Sequence, residues 1–495
     1  MSSDPQDGSQ PSSIAPGQAH TLTIEKFAEG GAGFATLDGK PVFVTGAIPG
    51  QRVSAIITKK KDSFFEARVE KVIMRSRDEV PARCPHFGVC GGCVWQSVNY
   101  NKQIQYKEDI VKETLEHLTP VDEAVRKTLP GRVLKIIPSP QVFYYRNKLE
   151  LSFGYGNMRF EEKPPRNEGG KSERIYFDEQ PGIGFHRPGD WATILPIGEC
   201  HLYDEQLPSL IADVNRFMQS TKLPVYNPKT HKGMLRHLIL RRGVHTGQNM
   251  MCFVVQARKK ELEPLFQKFM QFGGRPGLVS LQIVEHMGLS DKVENEKIHS
   301  LIGQPWIEER LFDLTFQVSP FSFFQTNTLG AEKLYTAIAQ AADLSPRDTV
   351  LDCYCGMGTI GQYLARFCER VVGVESHPGA IEDALKSAGR NRIGNISFYK
   401  GKAEQVMNQQ LKAGGKYAFN TIVVDPPRMG LHPAALDAVL AHRAEKVVYV
   451  SCNVSTFARD LGAFLKAGYE LRTVQPVDMF PHTAHIELVA LLQRK

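Results

Sequence analysis

Four side chains near the C-terminus carry the chemistry of covalent catalysis. Cys452 follows the apolar run Lys446-Val447-Val448-Tyr449-Val450, in Ser451-Cys452-Asn453. Asp425 closes an earlier run, Thr421-Ile422-Val423-Val424, and opens Asp425-Pro426-Pro427-Arg428. Glu487 comes later, at the end of Pro481-His482-Thr483-Ala484-His485-Ile486-Glu487. A thiol, two carboxylates and a guanidinium at strand ends could supply a nucleophile, a base and their positioning groups. A lone cysteine at the end of an apolar strand is more often a packing residue. Its company favours chemistry here.

A second constellation reads as a cofactor loop. Asp348-Thr349-Val350-Leu351-Asp352-Cys353-Tyr354-Cys355-Gly356-Met357-Gly358-Thr359-Ile360 has the pattern of a strand, a glycine turn and a helix. Glycines there let backbone approach a ligand closely. The next apolar run, Arg370-Val371-Val372-Gly373-Val374, ends in Glu375, which can hold both ribose hydroxyls of a nucleoside. The dinucleotide fingerprint lacks its third glycine, and Asp352 would repel a pyrophosphate. S-adenosylmethionine has no pyrophosphate, so a methyltransferase is expected rather than a dehydrogenase. Amine methyltransferases often place an aromatic after Asp-Pro-Pro. Arg428 stands there instead, which leaves substrate activation to Cys452. Cys353 and Cys355 are expected to pack.

A third constellation is Cys84-Pro85-His86-Phe87-Gly88-Val89-Cys90-Gly91-Gly92-Cys93. Soft thiolates this close select zinc or an iron–sulfur cluster. The spacing differs from the C-x-x-x-C-x-x-C of radical enzymes, so a structural or RNA-positioning role is expected. A fourth ligand is needed. Cys200, in Gly198-Glu199-Cys200-His201, is the leading candidate, although by position alone it reads as a core cysteine.

These residues need elements to hold them. A chain of 495 residues implies two to four domains. The net charge of +7 permits a polyanionic partner without demanding one. No apolar run reaches a membrane-spanning length, and no secretory signal pattern opens the chain. Nine cysteines without such a signal point to a reducing compartment, hence the cytoplasm. Residues 1–18 read as a disordered tail. Residues 19–76 read as short strands with an Asp38-Gly39 hairpin signal, a small OB-like β-barrel. Lys59, Lys60 and Lys61 beside Phe64 and Phe65 would suit RNA, and equally a solvated hairpin tip. Residues 77–310 are strand-rich after a helical stretch over 102–118. Their basic–aromatic stretches, Tyr144-Tyr145-Arg146-Asn147-Lys148 and Arg236-His237 to Arg241-Arg242, read as a substrate surface. Over 311–495 strands alternate with helices, the signature of an α/β domain with a parallel sheet.

Taken in order, these motifs, with Phe323-Phe324-Gln325-Thr326-Asn327, resemble those of the RNA 5-methyluridine methyltransferases along nearly the whole chain. The resemblance implies an α/β class I, Rossmann-like methyltransferase domain at 311–495. It implies an N-terminal TRAM barrel at 19–76 and a β-rich central domain at 77–310 with a 4Fe–4S cluster. Cys84, Cys90, Cys93 and Cys200 would be the cluster ligands. Gln325, Tyr354, Glu375 and Asp425 would line the S-adenosylmethionine site. Cys452 would be the nucleophile and Glu487 the base. Barrel and cysteines together resemble the branch that modifies 23S ribosomal RNA; the same chemistry on tRNA is the alternative. Thr359 stands where the family often has Asn, and Val454-Ser455 replaces a Pro-containing stretch. Neither changes a reacting group. No obligate protein partner is implied, so a monomer is expected.

In such an enzyme the thiolate adds to carbon 6 of uracil, carbon 5 attacks the methyl group, and a base removes the carbon 5 proton. Cys452 then needs a positive neighbourhood, which Arg428 could supply. Two rivals stand beside this. One is a cytosine-C5 RNA methyltransferase, separable by base analysis of the product. The other is an idle RNA-binding module, which would have no need of Cys452, Glu487 and Asp425 together.

Overall fold

The computed structural model describes residues 14–156, 180–290, 293, 297–412 and 419–495. Its contacts divide them into two compact units.

The first unit holds residues up to Ala82, with Val94–Tyr106 and His482–Ala484. Its six-stranded sheet runs, edge to edge, Ala19–Thr23, Arg52–Lys60, Phe65–Met74, Lys40–Thr45, Gly33–Leu37 and Lys26–Phe27. Alternation decides which side chains face in. Leu22, Val42, Val44, Val53, Ala55, Ile57, Phe65 and Ala67 form the core. The hairpin at Asp38-Gly39 forms as expected, both residues having positive φ (48° and 73°), as a two-residue turn of the favoured hand requires. Of the tail expected over 1–18, residues 1–13 lie outside the described residues. Ile14 is buried in the sheet's core.

The second unit holds Arg83–Cys93, Lys107–Pro481 and His485–Lys495. It contains two seven-stranded sheets. One runs Lys297–Ile302, Leu278–Glu285, Asn249–Val255, Leu235–Arg242, Lys148–Gly156, Gln180–Arg187, Asp190–Pro196, all antiparallel except the Asn249–Val255/Leu278–Glu285 pair. The other runs Ile396–Lys400, Arg370–Glu375, Thr349–Cys353, Thr421–Val424, Lys446–Ser451, Glu487–Arg494, Tyr469–Val477. Its first five strands are parallel. Thr421–Val424 is buried throughout and Lys446–Ser451 nearly so, which is why both read as unbroken apolar runs rather than alternating ones. The helices Pro378–Arg390, Pro433–His442 and Val454–Lys466 come from segments between its strands, and Thr328–Ala342 precedes them.

Two features of this second sheet shape the edge where its parallel strands end. Strand order reverses between Thr349–Cys353 and Thr421–Val424, and at such a point a crevice opens beyond the strands' carboxyl ends. Glu487–Arg494 is antiparallel to both neighbours, so its first residue lies at that same edge.

The helical stretch expected over 102–118 is the helix Tyr100–Leu118. Within the second unit its Lys107 pairs with Asp478 at 2.7 Å, both side chains 0% exposed, and Lys107 Nζ also donates to the Phe480 carbonyl. Two opposite charges can be buried so completely because each satisfies the other.

Candidate active site

The parallel sheet brings the candidate residues to one edge. Cys353 lies between Val374 and Val424 in the ladder, so Glu375, Tyr354 and Asp425 follow side by side. Val424 pairs with Tyr449, two residues before Ser451. Ser451 pairs with Leu488 across the antiparallel ladder, which sets the next residues outward, Cys452 and Glu487, opposite one another. Cys452 is then fixed by the helix that follows. Asn453 caps Val454–Lys466, its side chain accepting from Thr456 N at 3.1 Å, and Ser451 Oγ accepts from Asn453 N at 3.1 Å.

These groups act on one another electrically. Burial pushes the Cys452 thiol up to about 11, Glu487 and Asp425 add to that, and Arg428 opposes it. Glu487, 6% exposed, is pushed up to about 8 by burial and then by Asp425, again against Arg428. Burial raises Asp425 to about 6. The positive neighbourhood expected for Cys452 is therefore only partly present. Arg428 supplies it, but burial and two carboxylates outweigh one exposed guanidinium. In the ligand-free protein Cys452 is a thiol at neutral pH.

The cofactor loop has the expected form. After the strand Thr349–Cys353, Tyr354, Gly356 and Gly358 all have positive φ (62°, 54° and 74°), so the chain reverses within five residues. At Gly358 a Cβ would lie 2.7 Å from the Phe398 ring, so any other residue would strain the turn. Gly356 N donates to Glu375 Oε2 at 3.2 Å, and His377 N to Glu375 Oε1 at 2.7 Å. Glu375 is thus held by backbone at the end of the adjacent strand. Gln325 sits in the segment before the helix Thr328–Ala342, its carbonyl accepting from Asn147 Nδ2 at 2.8 Å. Cys353 and Cys355 are buried, as are Cys252 and Cys368.

Two residues absent from the expected site belong beside it. Asp352 is fully buried, and burial then Asp425 raise it to about 8 against the Gly361 backbone amide. Its place before the glycine turn was a visible signal, read only as an obstacle to a pyrophosphate. Tyr335 donates or accepts at 2.7 Å with Thr359 Oγ1, and its hydroxyl feels Asp425 and Asp352. It arrives from the distant helix Thr328–Ala342, so no local signal marks it.

Cys84, Cys90, Cys93 and Cys200 are all half-buried. Backbone bonds from Tyr144 N to His201 O and from Arg146 N to Leu202 O, both 2.8 Å, lay the segment 144–146 along the one that follows Cys200. The Cys200 thiol, pushed up to about 11 by burial, also feels Cys90 and Cys84, and the Tyr145 hydroxyl feels Cys93 and Cys200. Cys84, Cys90 and Cys200 thus lie near one another across the long sequence gap, and Cys93 and Cys200 both lie near Tyr145. Among the described residues no three His, Cys, Asp or Glu side chains converge to hold a single ion. A four-iron cage asks less convergence, because each thiolate meets its own iron. The donor set, four soft and partly shielded thiols, fits such a cage.

Within the stretches expected to form a substrate surface, several side chains turn inward instead. Arg236 (1% exposed) donates to the Gly288 and Ser290 carbonyls, and Arg241 (2%) to those of Pro320 and Ser322. Tyr145 and Asn147 are buried as well. These guanidiniums tie loops to the central sheet. At the expected basic strip of the first unit, Phe65 belongs to the core, and Phe64 instead packs edge-on against Phe43 (5.4 Å), which meets Phe34 (6.1 Å) under Lys26. Strand alternation separates Phe64 from Phe65 and places only the former among the lysines.

Residues 297–495 match the family model of tRNA (uracil-5-)-methyltransferases. An uncharacterized RNA methyltransferase of Caldanaerobacter subterraneus is 34% identical over 97% of this chain and 100% of its own. One from Chlorobaculum tepidum is 36% identical over 96% of each. The crystal structure of Pyrococcus abyssi tRNA (uracil-54, C5)-methyltransferase in complex with S-adenosyl-L-homocysteine superposes with a TM-score of 0.71 at 28% identity, covering 95% of this chain and 99% of that one.

Proposed function

Because the chain belongs to the tRNA (uracil-5-)-methyltransferase family, we propose that Cys452 is the nucleophile and Glu487 the base of its S-adenosylmethionine-dependent methylation of carbon 5 of uridine in RNA. The observation that carries this is the ladder register that sets Cys452 opposite Glu487.

Carbon 5 of uracil is a weak nucleophile. The Cys452 thiol gives its proton to water, its sulfur adds to carbon 6 as the carbon 5–carbon 6 double bond opens into the enolate, and carbon 5 gains the electrons it lacks. Bound S-adenosylmethionine supplies the methyl group. Glu487 then takes the carbon 5 proton, the carbon 5–carbon 6 double bond re-forms, and the sulfur leaves. The same burial that raises Glu487 to about 8 makes its carboxylate a stronger base than an ordinary one, and the share in that form grows as pH rises towards 8. Arg428 and the start of the helix Val454–Lys466 favour the thiolate once Cys452 loses its proton. Gln325, Tyr354, Glu375 and Asp425 are assigned to the cofactor, Glu375 to its ribose.

Cys84, Cys90, Cys93 and Cys200 would hold a 4Fe–4S cluster. Bound there, it would cross-link the Arg83–Cys93 segment to the one around Cys200. Residues 19–76 are assigned as a TRAM barrel, 77–310 as the cluster domain and 311–495 as the methyltransferase domain. The enzyme acts as a cytoplasmic monomer on structured RNA.

The substrate proposed is 23S ribosomal RNA, from the combination of barrel and cysteines. A second substrate, tRNA, is favoured by the Pyrococcus abyssi enzyme, which shares 95% of this chain's length and by its description acts on tRNA. Mapping 5-methyluridine in both RNAs from a deletion strain tests this. Loss of one site from 23S RNA supports the first, loss from tRNA alone supports the second, and unchanged RNAs reject both.

A further inference from the structure

We propose that Met429 is a positioning residue that enters the RNA stack in the gap left by the departing uridine; this rests on the uridine methylation proposed above. Met429 is 76% exposed, more than any other large apolar side chain noted among the described residues. A thioether in water contributes little to the fold, yet the backbone carrying it is held at every step. Gly430 N donates to Pro427 O (2.8 Å), Thr456 Oγ1 to Arg428 O (3.3 Å) and Arg459 Nη2 to Met429 O (2.9 Å). Leu431 N donates to the buried Asp460 (2.8 Å). Gly430 has φ 74°, and a Cβ there would meet Arg459 and Asp460 at 2.6 and 2.7 Å.

The turn is therefore rigid, and it displays an apolar tip. Its anchors Thr456, Arg459 and Asp460 all belong to Val454–Lys466, the helix that fixes Cys452. The tip and the nucleophile thus share one support. Beside it, the exposed Arg428 is near enough to oppose the rise of both Cys452 and Glu487. A uridine inside a folded RNA must leave its stack to reach Cys452, which is unfavourable. Apolar side chains such as Met offset that by filling the vacated step, while a neighbouring guanidinium holds phosphate.

The test uses two RNA probes carrying the mapped uridine, the folded transcript and a short unstructured oligonucleotide of the same local sequence. Met429→Ala should lower kcat/KM about tenfold on the folded RNA, and by less than about twofold on the oligonucleotide, where no stack must open. Met429→Leu should restore most of the loss. With 2-aminopurine next to the uridine, the fluorescence rise on binding should shrink for Met429→Ala at saturating protein. Equal losses on both RNAs, or no loss on either, would overturn the wedge while leaving the chemistry standing. A wild-type protein that methylates neither RNA would instead remove the premise.

Discussion

At the residue scale, the site is a set of acids that burial makes harder to ionise. Glu487 and Asp352 sit near 8 and Asp425 near 6, each above the ordinary carboxylate range. Between that ordinary range and about pH 8 the folded state binds more protons than the unfolded chain, so stability is greatest at the acid end and falls as pH rises. We expect the ligand-free protein to lose Tm from pH 5.5 to 8, with at most about 1.4 kcal/mol per pH unit from each group, and Glu487→Gln to flatten that slope. A pH-independent Tm in wild type would contradict the buried-acid picture. Cys452→Ala should abolish methylation and leave RNA binding nearly intact; turnover by that variant would sink the covalent mechanism. Glu487→Gln blocks only the step after methyl transfer. It should therefore accumulate a protein–RNA adduct that runs slowly on a denaturing gel, and its absence would reject Glu487 as the base.

At the element scale, what matters is how strand ends are pinned. Asp460 is 2% exposed and accepts from Tyr449 OH (2.7 Å), Leu431 N (2.8 Å) and Arg459 Nε (2.8 Å). It locks the turn after Asp425-Pro426-Pro427-Arg428 to the helix after Cys452. Asp460→Ala leaves a buried hydroxyl and a buried amide unpaired and should cost about 3 kcal/mol, read by urea unfolding. A loss below about 1 kcal/mol would mean that the turn has other support. This network was not legible in the sequence, since Asp460 looks there like one more acid on an amphipathic helix. The Asp38-Gly39 turn was legible, because its requirement is local. The arginines at 236 and 241 misled for the converse reason: composition gives their charge but not the carbonyls that absorb it.

At the scale of the whole molecule, Cys200 comes near Cys84 and Cys90 from a distant stretch, and a buried Lys107–Asp478 pair joins the helix Tyr100–Leu118 to the segment before Glu487. Removing one partner of that pair strands the other charge. If the cysteines hold four irons, anaerobically purified protein should be brown with broad visible absorbance, and Cys90→Ser should bleach it. Colourless protein with stoichiometric zinc would reject the cluster. No helix among the described residues is long and apolar enough to cross a membrane.

The sequence by itself determined the reacting groups, the glycine turn and the strand runs that end in Glu375, Asp425 and Cys452, because each depends on residue type and short spacing. The four cysteines could be grouped only through the family's pattern. Tertiary structure alone decided that Cys452 faces Glu487, because this depends on a last strand inserted antiparallel between two others. It alone decided the state of the thiol as well. A positive neighbour was visible in Arg428, but burial and two carboxylates that only folding brings near outweigh it.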